Sequence, residues 1–314
     1  MSIKIQKLDI PKFSSDRYIL EDKLKNAVEV AIALGQPLLL TGEPGTGKTL
    51  LAHKVAAELS KTYPEFAGEP LVFNTKTTSS ARDLFYTYDA LSHFQAANVK
   101  KEDKNPATTA DFIELQALGR AIAQTDPAKV NQAKFKTQLE TNPQSTVVLI
   151  DEIDKAPRDF TNDILNEIEN YRFSIKEQEN FEIVKGDERQ IVVIMTSNSE
   201  KNLPDAFLRR CVFFNIEFPE DKLGEIVKAN LGSGTKFTGK ALDEMLKVFK
   251  AIRSTAVRKS PATAELVSWL RILEISGYLE QDPEAQKQQI LDNLSILVKT
   301  QEDLRAVEDM LRKM

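Results

Sequence analysis

Apolar positions follow two different patterns along this chain, and the change from one to the other divides it. Up to about residue 218, short continuous apolar runs alternate with helically spaced ones. Pro37–Thr41, Leu71–Asn74, Thr146–Ile150, Ile191–Met195 and Cys211–Ile216 are the continuous runs, and their length predicts five buried strands. Strands apolar on both faces suit a mostly parallel sheet covered by helices, not a half-exposed antiparallel one. Leu24, Ala27, Val28 and Ala31 share one helical face within Leu20–Ala33, as do Leu51, Ala52, Val55, Ala56 and Leu59 within Thr49–Leu59. Asp111–Gln124 and Phe160–Asn170 read as further helices. The fold class is therefore α/β, with a mostly parallel five-stranded sheet.

After Phe218-Pro219-Glu220 the strand-like runs stop. Leu242, Met245, Leu246 and Phe249 keep helical spacing, as do Leu266, Trp269, Leu270 and Leu273, and again Ile290, Leu291, Leu294 and Leu297. The pattern predicts an α/β domain over 1–218 and a small all-α domain over 219–314. Two segments interrupt the first domain. Apolar and polar residues alternate on both arms of Asn170–Lys185, which predicts a β-hairpin. Val99–Thr109, rich in Lys, Asp, Asn and Pro, reads as an exposed loop.

Composition narrows the setting. At 314 residues and 41% hydrophobic, the chain can bury one large core or two unequal ones. A net charge of -5 argues against a protein whose main task is to hold DNA or RNA. Cys211 is the single cysteine, so no internal disulfide can form. The opening MSIKIQKLDIPKFSSDR has no apolar core of signal-peptide length, and Gly35-Gln36-Pro37 interrupts the longest apolar stretch, Val30–Leu40. The expectation is a soluble cytoplasmic protein that does not span a membrane.

The candidate chemistry lies where two of the strands end. The first runs into Gly42-Glu43-Pro44-Gly45-Thr46-Gly47-Lys48-Thr49. Glycines let backbone amides curl inward around a phosphate, and the following helix adds its positive end. Lys48 would reach the β- and γ-phosphates of ATP, and the Thr49 hydroxyl would ligate Mg²⁺. Gly42, Glu43, Pro44, Gly45, Thr46, Gly47, Lys48, Thr49 and Leu50 form the expected nucleotide-binding set; the plainer reading is a glycine-rich turn. The strand Thr146–Ile150 ends in Asp151-Glu152, adjacent carboxylates whose burial needs a compensating cation. Asp151 would hold the Mg²⁺ shell, and Glu152 would orient or deprotonate the attacking water. The plainer reading is a helix cap. His53 and His93 have no Cys or His companions that would make a zinc site.

These motifs, together with Met195-Thr196-Ser197-Asn198 and Leu203-Pro204-Asp205-Ala206-Phe207-Leu208-Arg209-Arg210-Cys211, resemble the AAA+ ATPases and, more narrowly, their MoxR-like branch. The similarity spans nearly the whole chain, specific through residue 218 and looser beyond. It implies a P-loop AAA+ core followed by a helical lid. Asn198 matches the polar sensor that meets the γ-phosphate or the lytic water. Arg210 matches the arginine finger inserted into a neighbouring subunit's site, so a ring, usually a hexamer, is implied; Arg209 is the adjacent alternative. Residues 84–104 match the branch's insertion in the second helix and 171–185 its hairpin before the sensor strand. Both are expected to face the pore or a partner, although Tyr86 and Tyr88 could equally cover the sheet edge. The branch often carries an arginine just after a Ser-Pro pair in its third lid helix. Here Ser260-Pro261 is followed by Ala262 and Thr263, with Arg258, Lys259 and Arg271 nearby.

The resemblance implies a chaperone-like ATPase that remodels or assembles a client protein, working with a separate chain bearing a von Willebrand factor A domain. A nucleic-acid-associated motor or loader is the alternative, opposed by the acidic charge balance. A small-molecule kinase would need an acceptor pocket and would not need Glu152 or an arginine in trans.

Overall fold

The computed structural model describes residues 14–98, 107–199, 203–232 and 234–313. Most of the loop expected at Val99–Thr109, and the far end of the 84–104 insertion, lie outside them. Two compact units result: residues 20–218, and 219–313 together with Ser14–Ile19.

The first unit contains α1 (Asp22–Leu34), β1 (Leu38–Gly42), α2 (Lys48–Thr62), β2 (Leu71–Asn74), β3 (Tyr86–Tyr88), α3 (Ala90–Asn98), β4 (Ile113–Leu115), α4 (Ala117–Thr125), β5 (Thr146–Asp151), α5 (Arg158–Asn170), β6 (Arg172–Ile175), β7 (Phe181–Val184), β8 (Ile191–Thr196), α6 (Asp205–Leu208) and β9 (Val212–Ile216). Five of the strands form one sheet in the order β2-β5-β8-β1-β9, and every neighbouring pair is parallel. Leu38, Leu39, Leu40 and Val147 to Ile150 are fully or almost fully buried, which is why those runs carry no polar alternation. The register sets Asn74 opposite Asp151, Leu40 opposite Thr196 and Gly42 opposite Ile216. The polar strand ends therefore gather along the carboxyl edge, where open α/β sheets place their ligands.

The segment Asp111–Gln124 is not one helix. A single 3₁₀ turn at Thr109–Phe112 leads into β4, and only Ala117–Thr125 is α-helical. Ile113 and Leu115 are buried while Glu114 between them is exposed, the period-two pattern of a strand. β4 pairs antiparallel with β3, a long-range partner that local helical spacing does not register.

β6 and β7 form the antiparallel hairpin ahead of β8, with Glu179 and Asn180 in the left-handed conformation at its turn. Tyr86 does not face outward. It is 1% exposed, lies 6.3 Å from the Phe173 ring, and its hydroxyl accepts from the Lys176 N–H at 3.2 Å. Tyr88 is half-buried, its hydroxyl 2.6 Å from His93 Nδ1. The insertion and the hairpin thus share one core with the sheet: Tyr86, Ile113, Phe173 and Ile183 pack in the same buried cluster as Val148 and Met195.

The second unit is built from α7 (Leu223–Leu231), α8 (Gly239–Thr255), α9 (Thr263–Ile275), α10 (Pro283–Asp292) and α11 (Gln301–Lys313). Leu242, Met245 and Phe249 of α8 and Leu266, Trp269, Leu270 and Leu273 of α9 are buried, as their spacing predicts. The run from Ile290 to Leu297 breaks: α10 ends at Asp292 and Leu294–Ile296 is a separate 3₁₀ turn. Asn293, at φ -106° and ψ 11°, caps α10, its side chain donating to Gln289 O at 2.8 Å beside its own backbone N–H.

Candidate nucleotide site

β1 ends at Gly42, whose φ is 139°. A Cβ there would lie 2.3 Å from the Ile216 carbonyl oxygen of β9, so only glycine lets the chain leave the sheet at this point. Thr46 tightens the loop by donating from Oγ1 to Glu43 O at 2.9 Å. Gly47, at φ 92°, then turns the chain into α2, which begins at Lys48. The first amides of a helix have no partners within it, so the loop and the helix start together present donors to an anion.

Lys48 is 7% exposed. Its Nζ donates to Gly42 O at 2.7 Å and to Glu43 O at 2.9 Å, inside the loop it belongs to. Burial pushes its ammonium below the ordinary value, against the opposing pull of Asp154, Asp151, Glu152 and Glu43. A buried cation whose bonds here go to backbone carbonyls has spare affinity for a stronger anion.

Asp151 ties three elements together. Its Oδ1 and Oδ2 accept from Thr49 Oγ1 of α2 at 3.0 and 3.2 Å, and Oδ1 also accepts from Thr196 Oγ1 of β8 at 2.5 Å. The Thr196 hydroxyl in turn accepts from the Glu152 N–H at 2.9 Å, and Thr75 N–H donates to the Asp151 carbonyl at 3.1 Å. Hydrogen bonds to a charged group contribute about 1.5–3 kcal/mol each, so this carboxylate is held in place by its two hydroxyl donors. Thr49 and Asp151 together offer only hard oxygens, a fit for Mg²⁺ that keeps the rest of its shell for phosphate and water.

Glu152 takes a left-handed backbone, φ 56° and ψ 49°, costing roughly 1–3 kcal/mol for a residue with a side chain. Its carboxylate is bonded by the Lys155 ammonium. Asn198 lies two residues beyond β8, its N–H donating to Asp154 Oδ1 at 3.3 Å. The loop after β8 is thereby tied to the loop of the acidic pair. Lys48, Thr49, Asp151, Glu152 and Asn198 come together at one end of the sheet.

Arg209 and Arg210 follow α6 and are both exposed. Arg210 Nε lies 3.3 Å from Glu169 Oε1 near the end of α5. Glu43, Pro44 and Gly45 of the loop and Leu50 of α2 are also exposed. Two of the cations near Ser260-Pro261 are engaged elsewhere. Arg258 Nε pairs with Glu302 at 2.9 Å, and Arg271 donates to Asn230 O at 2.7 Å; at Lys259 it is the backbone N–H that donates, to Asp303 at 3.1 Å.

Four participants were not singled out by sequence: Thr196, Asp154, Lys155 and Glu169. Thr196, at the end of a buried apolar strand, carried a usable signal, because a hydroxyl there must find a partner. Nothing local signals that Glu169 meets Arg210.

An all-parallel sheet with a glycine-rich loop after β1 and an acidic end on β5 is the AAA+ P-loop fold. The chain belongs to the ATPase family associated with various cellular activities (AAA), whose family model matches residues 38–220. Members of that family hydrolyse ATP, and they commonly assemble as rings. No curated protein matches the chain in sequence. Among solved structures it is similar to NtrX from Brucella abortus in complex with ATP, at 15% identity and TM-score 0.48, over 93% of this chain and 59% of that one. It is similar also to a RuvB variant from Thermotoga maritima, at 16% identity and TM-score 0.43, over 90% and 70% of the two chains. Domain III of the Thermotoga maritima replication initiation protein DnaA gives 14% identity and TM-score 0.46, over 92% and 98%. At these identities the likenesses point to no particular branch. Among the described residues, no helix is long and apolar enough to cross a membrane.

Proposed function

We propose that this chain is a MoxR-like AAA+ ATPase that works as a cytoplasmic ring, a hexamer by analogy, and uses ATP hydrolysis to remodel or assemble a partner protein. The observation that carries the catalytic part is the Thr49–Asp151–Thr196 network, which links the phosphate loop, the acidic strand end and the sensor strand through one carboxylate. ATP supplies the phosphoryl group and Mg²⁺ the charge neutralisation when both are bound. Lys48 would bind the β- and γ-phosphates, exchanging its two carbonyl acceptors for stronger anionic ones. Thr49 and Asp151 would hold the metal. Glu152 would accept the proton of the attacking water at a carboxylate oxygen, with Asn198 orienting that water.

Arg210, exposed at the rim, suits a role in a neighbouring copy's site, where a guanidinium stabilises charge on the transferring group. The MoxR-like assignment, the client and a von Willebrand factor A partner rest on the resemblance of the motifs quoted above.

Specific ATPase activity should rise with protein concentration. Mixing Lys48→Ala with Arg210→Ala protein should recover part of the lost activity, since each supplies the group the other lacks. A rate independent of concentration, with no recovery on mixing, removes the shared site. A pull-down on a Glu152→Gln trap that returns no von Willebrand-type protein removes that partner; ATPase stimulation by DNA, weakening with salt, favours the motor or loader instead.

A further inference from the structure

The backbone of Glu152 is held on both sides. Its N–H is held by Thr196 Oγ1 and its carbonyl accepts from Lys155 N–H at 3.0 Å, closing the 3₁₀ turn Ile153–Lys155. This bond folds the chain back so that Lys155 comes within reach of the Glu152 side chain. Lys155 is therefore delivered onto the Glu152 carboxylate by the same turn that places Glu152 at the strand end. The Lys155 ammonium bonds Oε2, and this bond raises the lysine above its ordinary value.

We infer that Lys155 is a restraining residue for hydrolysis: it holds the Glu152 carboxylate in an internal ion pair, and turnover requires that pair to open. The inference rests on Glu152 being the group that accepts the proton from water. A carboxylate oxygen occupied by the Lys155 ammonium is not offered to a water until that contact opens. Both side chains are about half exposed, at 48% and 42%. Solvent screening therefore keeps the pair weak enough to open in each cycle. Lys48 faces the same cluster of carboxylates but is buried and committed to the loop carbonyls. The two lysines thus divide the work, one serving the phosphates and one occupying the base.

The test compares Lys155→Met and Lys155→Arg with wild type at one fixed, saturating protein concentration, with kcat and KM for ATP separated. Lys155→Met keeps the aliphatic stem and loses the charge. It should raise kcat about two- to five-fold, the range of an exposed ion pair, and leave KM unchanged. Lys155→Arg should stay near wild type. A kcat that is unchanged or lower in Lys155→Met, or a rise matched by Lys155→Arg, overturns the restraint. Glu152→Gln and the double variant Glu152→Gln/Lys155→Met separate this from failure of the parent reading. If Glu152→Gln hydrolyses ATP normally, Glu152 is not the base. If it is inactive while Lys155→Met is no faster than wild type, only the restraint fails. The Lys155→Met gain should vanish in the Glu152→Gln background, because no carboxylate remains to release.

Discussion

The floor of the candidate site and the arginine-bearing rim proposed to complete a neighbouring copy's site are built on opposite plans. The floor is closed within one chain: Lys48 is almost fully buried and bonded twice, and Asp151 accepts from hydroxyls of two other elements. The rim is open: Arg209 and Arg210 are exposed, and Arg210 meets the similarly exposed Glu169 at 3.3 Å. Exposed ion pairs contribute about 0–1 kcal/mol, so that contact can be exchanged for a better one at little cost, whereas the floor cannot be rearranged without breaking several bonds at once. A site so divided is preorganised where the phosphates would bind and left adaptable where a second subunit would complete it.

Substitutions on the two sides should therefore differ in kind. Lys48→Ala should remove both nucleotide retention and about 10³-fold of the rate, read by a fluorescent-nucleotide titration beside a phosphate-release assay. Arg210→Ala should lower the rate by about 10²-fold and leave nucleotide affinity within about threefold of wild type, since the floor is untouched. Were Arg210→Ala to lose nucleotide as Lys48→Ala does, the rim would belong to the same chain's binding surface and the contrast would disappear.

Thr196→Val is a finer probe. The substitution keeps shape but deletes the hydroxyl between Asp151 and the Glu152 N–H, and the loss of a bond to a charged group should cost about tenfold in kcat. Wild-type kinetics would mean that Thr49 alone positions Asp151. Arg209→Ala should cost about threefold or less in an assay where Arg210→Ala costs far more. The reverse order would move the trans role to Arg209.

Legibility in the sequence tracks how local each determinant is. The phosphate loop and Asp151-Glu152 could be read because each is contiguous and sits at the end of an unbroken apolar run. The five sheet strands were readable for the same reason. β4 was not, because Ile113 and Leu115 occupy positions compatible with a helix and become a strand only on meeting Tyr86–Tyr88. For Tyr86 the sequence left an outward role and a covering role equally open; its ring packs on Phe173 from a hairpin far along the chain, a contact no local pattern announces. α11 has buried Val307 and Leu311 but is surrounded by charged residues that dilute the apolar signal. The partners of Asp151 and Arg210 come from other elements, and no local pattern announces such pairs. Chemistry written in consecutive residues was visible; chemistry assembled across strands was not.

Cys211 offers the most delicate test of where the rim ends. It adjoins Arg210, yet its thiol donates to Phe207 O at 3.3 Å and burial pushes it up to about 12, from an ordinary 9.0. One residue after the exposed guanidinium, the chain is already anchored. A thiol whose folded value lies above its unfolded one keeps its proton in the native state while the unfolded chain loses it. Its contribution to stability is thus fully present below about pH 9 and declines as pH rises towards 12. Over pH 9 to 10 the decline amounts to about 1 kcal/mol. Urea unfolding of wild type and Cys211→Ala at the two pH values isolates the thiol from the other titrating groups. The stability of wild type relative to Cys211→Ala should shrink by that amount, and iodoacetamide at pH 8 should modify the native thiol far more slowly than the unfolded one. A constant difference, with rapid alkylation of native protein, would place Cys211 in solvent beside Arg210 and extend the adaptable rim into β9.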